Sequence, residues 1–356
     1  MSNFPARFTS KVGIKYPIIQ APMAGGATTP GLVAAVSNAG ALGSFGAAMS
    51  SPAAIKESIA RIRALTDQPF NVNLFVLGTP HPAEAELAEA TQRLAPFKRE
   101  LGLDPAALPP RFCEDNRAQR DALLQAKPPV VSFAFNLLDA ETISLFKRAG
   151  SIVISTATTA AEARACEAAG ADFVCAQGFE AGGHRGTFLG DFENSAIGLM
   201  ALVPQIADAV KIPLIAAGGI MDGRGIAASF ALGAEAVQLG TAFLTCAESG
   251  IHPEYKRRLL AATDDSTRLT RTFSGRYARG IVNDFMERMR PFEKDVPAYP
   301  VQNALTADLR QAAVKQNRME YYSMWAGQGA GMSRALPAAE LVAKLVEETQ
   351  RRLPKT

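Results

Sequence analysis

Eight short apolar segments recur along the chain, and each is followed by a stretch with the pattern of an amphipathic helix. The apolar segments span residues 16–23, 41–47, 70–76, 129–135, 151–158, 172–178, 212–219 and 236–243. They are almost uniformly apolar rather than alternating, which is typical of a parallel sheet covered on both faces. Eight such units in series predict an α/β fold of the (β/α)8, or TIM-barrel, type. A doubly wound open sheet is the alternative, which the strand count and even spacing disfavour.

Glycines stand at the ends of several helical stretches in this repeat. Gly40, Gly150, Gly170 and Gly233 each stand just before the next apolar segment. Glycine is the residue that most readily adopts the left-handed conformation with which many helices end. We therefore expect these four positions to be helix ends.

Two regions break the repeat. Residues 77–128 are rich in proline and mostly helical in pattern, and helical patterns return in residues 306–327 and 335–352. The sequence predicts a barrel formed by residues 1–76 and 129–285. A smaller, discontinuous helical domain, formed by residues 77–128 and 286–356, is expected to cap the barrel and bind substrate.

Composition narrows the function classes. The 356 residues include 37 basic and 34 acidic side chains, a formal net charge of +3, which gives no indication of nucleic-acid or membrane binding. The N-terminus lacks a signal-peptide core, so a cytoplasmic protein is expected. The four cysteines, Cys113, Cys166, Cys175 and Cys246, form no C-x-x-C pair. They indicate reduced thiols, and no metal site is expected.

Glycine-rich loops follow the last two predicted barrel strands. Gly218 and Gly219 precede a helix whose expected N-cap is Asp222, and Gly240 and Thr241 follow the eighth apolar segment. Barrels commonly bind phosphate after strands seven and eight, on backbone N–H groups near a helix N-terminus. The two loops together favour a phosphate site; taken singly, each would be explained as a tight turn or helix cap.

A histidine stands in a third glycine loop, "QGFEAGGHRGTF", residues 177–188. The chain has three histidines, and His184 alone lies directly after a predicted barrel strand. The surrounding glycines allow a planar ligand to approach the backbone, and an imidazole can act there as acid, base or hydrogen-bond donor. We expect His184 to be catalytic, with Glu180 and Arg185 as weaker candidates. His81 and His252 are in ordinary loop contexts.

Five segments together resemble the bacterial nitronate monooxygenases, formerly called 2-nitropropane dioxygenases, of the class I type. They are "IIQAPMAGG", "FNVNLF", "QGFEAGGHRGTF", "IPLIAAGGIMDGRGIAASFALGAEAVQLGTAFL" and "WAGQGAG", in this order between about residues 14 and 334. The resemblance implies a TIM barrel that binds FMN non-covalently and a helical substrate domain. By position it implies that His184 is the active-site histidine. The implied FMN-binding residues are Met23, Asn71, Gln177, Gly182, Gly183, Gly218, Gly219, Gln238, Leu239, Gly240 and Thr241.

The activity that the resemblance implies is oxidation of a small alkyl nitronate by FMN and O2, giving a carbonyl compound and nitrite. Propionate-3-nitronate is one candidate substrate. His184 is expected either to hold the anionic nitro group or to take the α-proton of a neutral nitroalkane. One motif departs from the family: where many members have S-F-H-F-G, this chain has "SFAFN", with Ala134 and Asn136.

Two other functions are compatible with the same motifs. An NAD(P)H-dependent flavin reductase of the same barrel family, acting on a quinone or an enoyl-acyl carrier protein, is the second expectation. A flavin-binding protein without catalysis is the third. Both a monomer and a homodimer are compatible with the sequence.

Overall fold

The computed structural model describes residues 4–354, in which eight parallel strands form a barrel. The barrel strands are β1 (Ile18–Gln20), β2 (Gly43–Gly46), β3 (Phe70–Phe75), β4 (Val130–Ala134), β5 (Ile152–Ala157), β6 (Phe173–Gln177), β8 (Leu214–Ala217) and β9 (Ala236–Leu239). Three further strands lie outside the barrel: β7 (Gly183–His184), β10 (Thr267–Thr270) and β11 (Ala278–Ile281). Each barrel strand lies within one predicted apolar segment. The eighth predicted segment, residues 236–243, is longer than its strand, which ends at Leu239 before a helix begins at Thr241.

The helices complete the alternating pattern. They are α1 (Arg7–Val12), α2 (Pro30–Asn38), α3 (Pro52–Arg63), α4 (Glu84–Glu100), α5 (Asn116–Ala126), α6 (Ala140–Arg148), α7 (Ala160–Ala168), α8 (Leu199–Ala209), α9 (Gly223–Ala231), α10 (Thr241–Leu244), α11 (Pro253–Leu260), α12 (Asp284–Met289), α13 (Val301–Leu305), α14 (Ala307–Lys315) and α15 (Ala338–Gln350). None of the helices within residues 4–354 is both long enough and apolar enough to cross a membrane.

The strands pair in the order β1-β9-β8-β6-β5-β4-β3-β2. A parallel bridge between Ile19 and Leu42 joins β1 to β2 and closes the barrel. Side chains alternate along each strand: Val72 and Leu74 pack outward under the helices, whereas Asn71 and Asn73 point inward. The closed, two-sided burial explains why the strands are nearly uniformly apolar.

The helix ends follow the sequence signals. Side-chain oxygens of Thr29, Asp139 and Thr159 accept hydrogen bonds from backbone N–H groups at the starts of α2, α6 and α7. The four predicted glycines all have positive φ: 86° at Gly40, 92° at Gly150, 94° at Gly170 and 106° at Gly233. The prediction that these glycines end helices is confirmed.

A small antiparallel sheet, which the sequence pattern did not indicate, lies beside the barrel. In it β11 pairs with β10 on one side and with the two-residue strand β7 on the other. His184 is therefore held in a strand, with Ala278 as its partner. This pairing gives the imidazole a fixed backbone, which an isolated glycine loop would not provide.

The helical segments divide between two locations. Leu94 and Phe97 of α4 pack in one apolar cluster with Phe285 of α12 and Leu309 of α14, so parts of the two segments outside the repeat meet. Helix α5, however, packs on α3, and α15 packs on α2 and α9 around the barrel. The division into 1–76 with 129–285 and 77–128 with 286–356 stays a prediction.

One predicted helix is shorter than expected. The helical pattern at residues 306–327 gives α-helix only over Ala307–Lys315. The chain turns at Asn317, which has a φ of 54°, and continues in a 3-10 turn, Met319–Tyr321. Trp325 then forms a β-bridge with Gly280 of the small sheet. This turn brings the "WAGQG" motif back to the barrel.

Candidate active site

A cavity opens at the carboxyl ends of the barrel strands, where the fold class predicts a site. Its walls include inward-pointing side chains from near the carboxyl ends of four strands: Asn73, Thr156, Gln177 and Gln238. Most of the predicted site residues line it, namely Met23, Gln177, Gly182, Gly183, His184, Gly218, Gly219, Gln238, Gly240 and Thr241. The fold thus brings together loops that follow four different strands, β1, β6, β8 and β9.

Two of the predicted cofactor residues lie outside the cavity lining. Asn71 is fully buried one layer deeper in the barrel, where its Nδ2 donates to Ser132 Oγ at 2.9 Å. Asn73, two residues along the same strand, lines the cavity instead. Leu239 belongs to the apolar cluster outside the strands, although its carbonyl accepts from Ala21 N–H. Period-two alternation places Leu239 on the face opposite its neighbour Gln238, whereas Asn71 shares the inward face of Asn73 but lies too deep in the barrel to reach the cavity.

The floor of the cavity requires glycine. Gly218 and Gly219 have φ values of 125° and 69°, a conformation that L side chains rarely adopt. A Cβ on Gly182 would lie 2.5 Å from the backbone nitrogen of Gly327. The glycine loop after β6 and the "WAGQG" segment therefore pack backbone against backbone, which leaves a bare surface for a planar ligand.

The helix predicted to bind phosphate is already capped. Asp222 is the N-cap of α9, as expected, and its carboxylate accepts from the N–H groups of Arg224 and Gly225. That helix N-terminus is therefore closed to a phosphate. The polar groups that remain are the backbone of Gly218 and Gly219 and the hydroxyl of Thr241, whose Oγ1 accepts from Gly327 N–H at 2.9 Å and keeps its own proton to donate.

His184 is oriented by a buried serine. Its Nε2 lies 2.9 Å from the Oγ of Ser274, which is fully buried. The Ser274 hydroxyl also lies 3.0 Å from the carbonyl oxygen of Arg276, to which it donates its single proton. Ser274 Oγ is then the acceptor for His184 Nε2–H, and Nδ1 of the neutral ring is left as a hydrogen-bond acceptor.

The surroundings keep this imidazole neutral. Burial, with smaller contributions from the positive charges of Arg276 and Arg310, lowers the pKa of His184 from 6.5 to about 3. Unfolded chain takes up a proton near the ordinary value, whereas the folded protein does not. His184 therefore makes the folded protein less stable as the pH falls below 6.5.

This charge state gives a first prediction. We expect the His184 ring to stay neutral, with its proton on Nε2, from pH 8 down to pH 5. Because the chain has three histidines, ¹⁵N NMR of labelled protein can resolve each ring, and the His184 signals are those lost in His184→Ala. Protonation of His184 above pH 5 would contradict the prediction, and a proton on Nδ1 would contradict the role of Ser274.

Two buried or partly buried charged side chains, those of Arg185 and Glu180, hold the loop that carries His184. Arg185, with 1% of its surface exposed, donates to the carbonyl oxygens of Gln177, Gly178 and Ser195. The carboxylate of Glu180 accepts from the backbone N–H of Leu199 at the start of α8. Both charged residues therefore position the loop and do not line the cavity. Cys175 does line it, but burial raises the pKa of this thiol to about 12, so it is not a nucleophile.

An aromatic wall, which the motifs did not predict, faces His184. The imidazole centroid lies 5.3 Å from the ring of Trp325, 5.4 Å from Phe135 and 5.5 Å from Tyr299. Tyr299 and Tyr322 line the cavity, and neither hydroxyl has a hydrogen-bond partner among residues 4–354. Tyr299, Tyr322 and Trp325 come from short loops after residue 285, where no periodic pattern marks a side chain as facing a site, whereas Phe135 directly follows β4.

The departure from the family pattern lies in the wall of the site. Ala134, the last residue of β4, lines the cavity, so a histidine at this position would project into it. Phe135 follows with a φ of 79° and stacks on Phe75 at 3.9 Å. The guanidinium of Arg276 lies 4.2 Å over the Phe135 ring. The alanine thus leaves space beside a rigid aromatic pair.

The chemistry of the lining fits FMN. The side chain of Gln238 faces the cavity and has no hydrogen-bond partner among residues 4–354, so its amide is available to a polar ligand. The glycines at 182 and 183 leave bare backbone, where a Cβ on Gly183 would meet nothing within 4 Å. The cavity therefore offers bare backbone to a planar ring, an amide beside that ring, and phosphate donors at Gly219 and Thr241. These are the groups that a flavin nucleotide requires.

The chain is similar to known proteins along almost its whole length. A family model described as nitronate monooxygenase matches residues 6–348. A probable nitronate monooxygenase of Bacillus subtilis (strain 168) is 43% identical over 343 residues, which cover 96% of this chain and 98% of the relative. One of Staphylococcus haemolyticus (strain JCSC1435) is 42% identical over 346 residues, with 97% of each chain covered.

Two solved structures are also similar. The nitroalkane oxidase from Streptomyces ansochromogenes superposes with a TM-score of 0.89 at 43% identity, over 97% of this chain and 99% of the other. FabK from Thermotoga maritima has a TM-score of 0.77 at 32% identity, over 97% and 96%. The fold, the glycine-lined cavity with its histidine and the full-length matches lead to one conclusion. The chain belongs to the nitronate monooxygenase family of oxidoreductases.

Proposed function

We propose that this protein binds FMN and oxidises small alkyl nitronates with O2, releasing a carbonyl compound and nitrite. The observation that carries the proposal is the position of His184, a neutral imidazole facing a cavity that contains one arginine and, among residues 4–354, no carboxylate. Such a cavity favours a small anion such as a nitronate, or the neutral nitroalkane from which it forms. Membership of the family supports the same reaction.

The residues that would hold FMN follow from the lining. The backbone of Gly218, Gly219 and Gly240 with the Thr241 hydroxyl would bind the phosphate, and Gln238 would bind a polar edge of the ring or the ribityl chain. Bound there, FMN supplies the electron-transfer chemistry that no side chain in the cavity can provide.

His184 is proposed to act as an acceptor. With its Nε2–H donated to Ser274, Nδ1 can take the α-proton of a neutral nitroalkane. The negative charge of the nitronate formed beside the ring would then stabilise the imidazolium, which burial disfavours in the free protein. A substrate that arrives already as the nitronate needs no proton removal, and its negative charge is then balanced by Arg310 and by hydroxyl donors such as Tyr299. The aromatic wall excludes water from both forms.

The test is nitrite release by purified, FMN-loaded protein in air, with no nicotinamide added. Propyl-1-nitronate and propionate-3-nitronate are the substrates, and heat-treated protein with equal free FMN is the control. We expect nitrite and O2 consumption to rise together with enzyme concentration. Oxygen electrode traces and a colorimetric nitrite assay measure both.

The same preparation separates the other functions. Fast bleaching of the flavin by NADH or NADPH, with no nitrite from either nitronate, would identify a nicotinamide-dependent reductase and overturn the proposal. A flavin that stays bound while neither nitronates nor nicotinamides react would indicate a binding protein without catalysis.

A further inference from the structure

Phe135 adopts a backbone conformation that is rare for a bulky residue. Its φ is 79°, in the left-handed region, directly after β4 ends at Ala134. Residues held in this region persist only where their surroundings fix them, and they cluster at functional sites. The Phe135 ring stacks on Phe75 at 3.9 Å, and the guanidinium of Arg276 lies 4.2 Å over it. Because a ring stacked at this distance leaves no room for a second group on the same face, the arginine covers the opposite face.

The same guanidinium is bonded to the loop that carries His184. Its Nε donates to the carbonyl oxygen of Arg185 at 2.7 Å, and its Nη2 donates to the carbonyl oxygen of Thr187. Arg185 follows the histidine directly along the chain. One side chain therefore joins the end of β4 to the backbone that begins one residue after the imidazole.

The backbone of Arg276 approaches the imidazole from a second direction. His184 Nε2 lies 2.9 Å from Ser274 Oγ, and that hydroxyl donates to the carbonyl oxygen of Arg276 at 3.0 Å. Ala278, two residues beyond Arg276, is the strand partner of His184. Arg276 is thus bonded both to the hydrogen-bond partner of the ring and to the loop that carries the ring.

We propose that Arg276 is a positioning residue, which holds the His184 ring, the Phe135 ring and the loop after β7 in one fixed arrangement. Arg276 lies outside the cavity lining, so it acts through His184 and not on a ligand. Its effect on the ring is independent of the reaction, whereas its effect on turnover rests on the proposed function. A displaced general base loses rate because its nitrogen no longer meets the α-proton at hydrogen-bond distance.

The charge of Arg276 acts on the same ring. Within residues 4–354, no acidic side chain lies at ion-pair distance from this guanidinium. The other charged or titratable groups around the imidazole are Arg310 on α14 and Tyr299, whose pKa burial raises above its ordinary value. Removing the Arg276 charge is therefore expected to raise the pKa of His184, although burial still holds it low.

The test substitution is Arg276→Met, which keeps an unbranched side chain against Phe135 but removes the charge and the donors. With 1-nitropropane, kcat of the FMN-loaded protein is expected to fall about 10- to 100-fold, the effect of a small displacement of a catalytic group. KM should change less than about threefold, since the ground-state contacts remain. With propyl-1-nitronate, which needs no proton removal, kcat should fall less. Arg276→Lys, which keeps the charge and a donor, should restore part of the rate.

¹⁵N NMR of the same variants measures the ring directly and needs no substrate. In Arg276→Met the His184 signals should show a mixture of the two neutral tautomers, because the loop that holds the ring against Ser274 is released. Protonation of the ring should occur at a higher pH than in the wild type. In Arg276→Lys the pH response should stay close to that of the wild type. A role in stability alone would lower the melting temperature and change neither property.

Arg288→Met is the matched control. The guanidinium of Arg288 lies 4.3 Å over the Phe97 ring and pairs with Glu100, so the substitution removes the same kind of stacked charge. Arg288 is on α12 and outside the cavity lining. The control should leave kcat and the His184 signals unchanged, whatever its melting temperature.

Two results would overturn the proposal. One is a set of unchanged His184 signals in Arg276→Met, whatever the rate. The other is a tautomer mixture with an unchanged kcat for 1-nitropropane, because ring orientation would then not limit the reaction. If the wild type turns over no nitro compound, the proposed function fails, and the NMR comparison still decides whether Arg276 positions the ring. If Arg276→Met does not fold, Arg276→Gln, which is neutral and has a shorter amide side chain, takes its place under the same criteria.

Discussion

His184→Ala is expected to lower kcat/KM for nitroalkanes by about 10² to 10⁴, the range for losing a positioned general base, while FMN stays bound. The side chain faces the cavity, and its backbone pairs with Ala278, a contact that alanine preserves. The flavin absorbance and the nitrite rate of the same sample measure the two properties independently. For substrates supplied as nitronates the expected loss is smaller, because no proton has to be removed.

The matched control for this substitution is His81→Ala. His81 is exposed and outside the cavity lining, so its removal should change neither flavin content nor rate. A His184→Ala variant that holds FMN and still oxidises neutral nitroalkanes at the wild-type rate would refute the role of His184 as a base. Loss of FMN in that variant would instead assign His184 to cofactor binding.

Gly182→Ala is expected to weaken flavin binding. The added Cβ would lie 2.5 Å from Gly327 N and 2.6 Å from the carbonyl carbon of Ala326, so two backbone segments must separate. Such overpacking costs about 1–3 kcal/mol, which corresponds to a roughly 5- to 150-fold weaker FMN affinity if the strain falls on the site. Fluorescence titration of apoprotein with FMN measures the affinity directly.

Gly78→Ala is the control for Gly182→Ala. Gly78 is exposed, and its Cβ would meet nothing within 4 Å, so the same chemical change adds no contact there. Its FMN affinity should equal that of the wild type. An unchanged affinity in Gly182→Ala, with an unchanged melting temperature, would show that residues 326–327 can move without affecting the site.

The barrel was predictable because its signal is local. Burial on both faces forces each strand to be largely apolar, and four of the helices end just before a glycine with positive φ, so both features can be recognised from the residues themselves. The small sheet gave no such signal: His184 and Gly183 form a strand of two residues, which has no measurable period. Its formation depends on pairing with β11, almost a hundred residues further along the chain.

The site was predictable on its barrel side and not on its helical side. Loops after parallel strands converge at one end, so the glycines and His184 could be grouped from their order alone. Arg310 looked like any polar residue of an amphipathic helix, and Ser274 like a loop serine. Only the packing of residues 299–325 over the barrel reveals that the arginine is enclosed and that the serine faces the imidazole.

The backbone contact between Gly182 and Gly327 has a consequence for the order in which the cavity forms during synthesis. Thr241 also depends on this region, since its hydroxyl is oriented by Gly327 N–H. A nascent chain still attached to the ribosome, with its last segment not yet synthesised, has the barrel strands but an open floor. The complete floor of the cavity therefore forms only after residues 326–327 have been synthesised and have docked on the loop after β6.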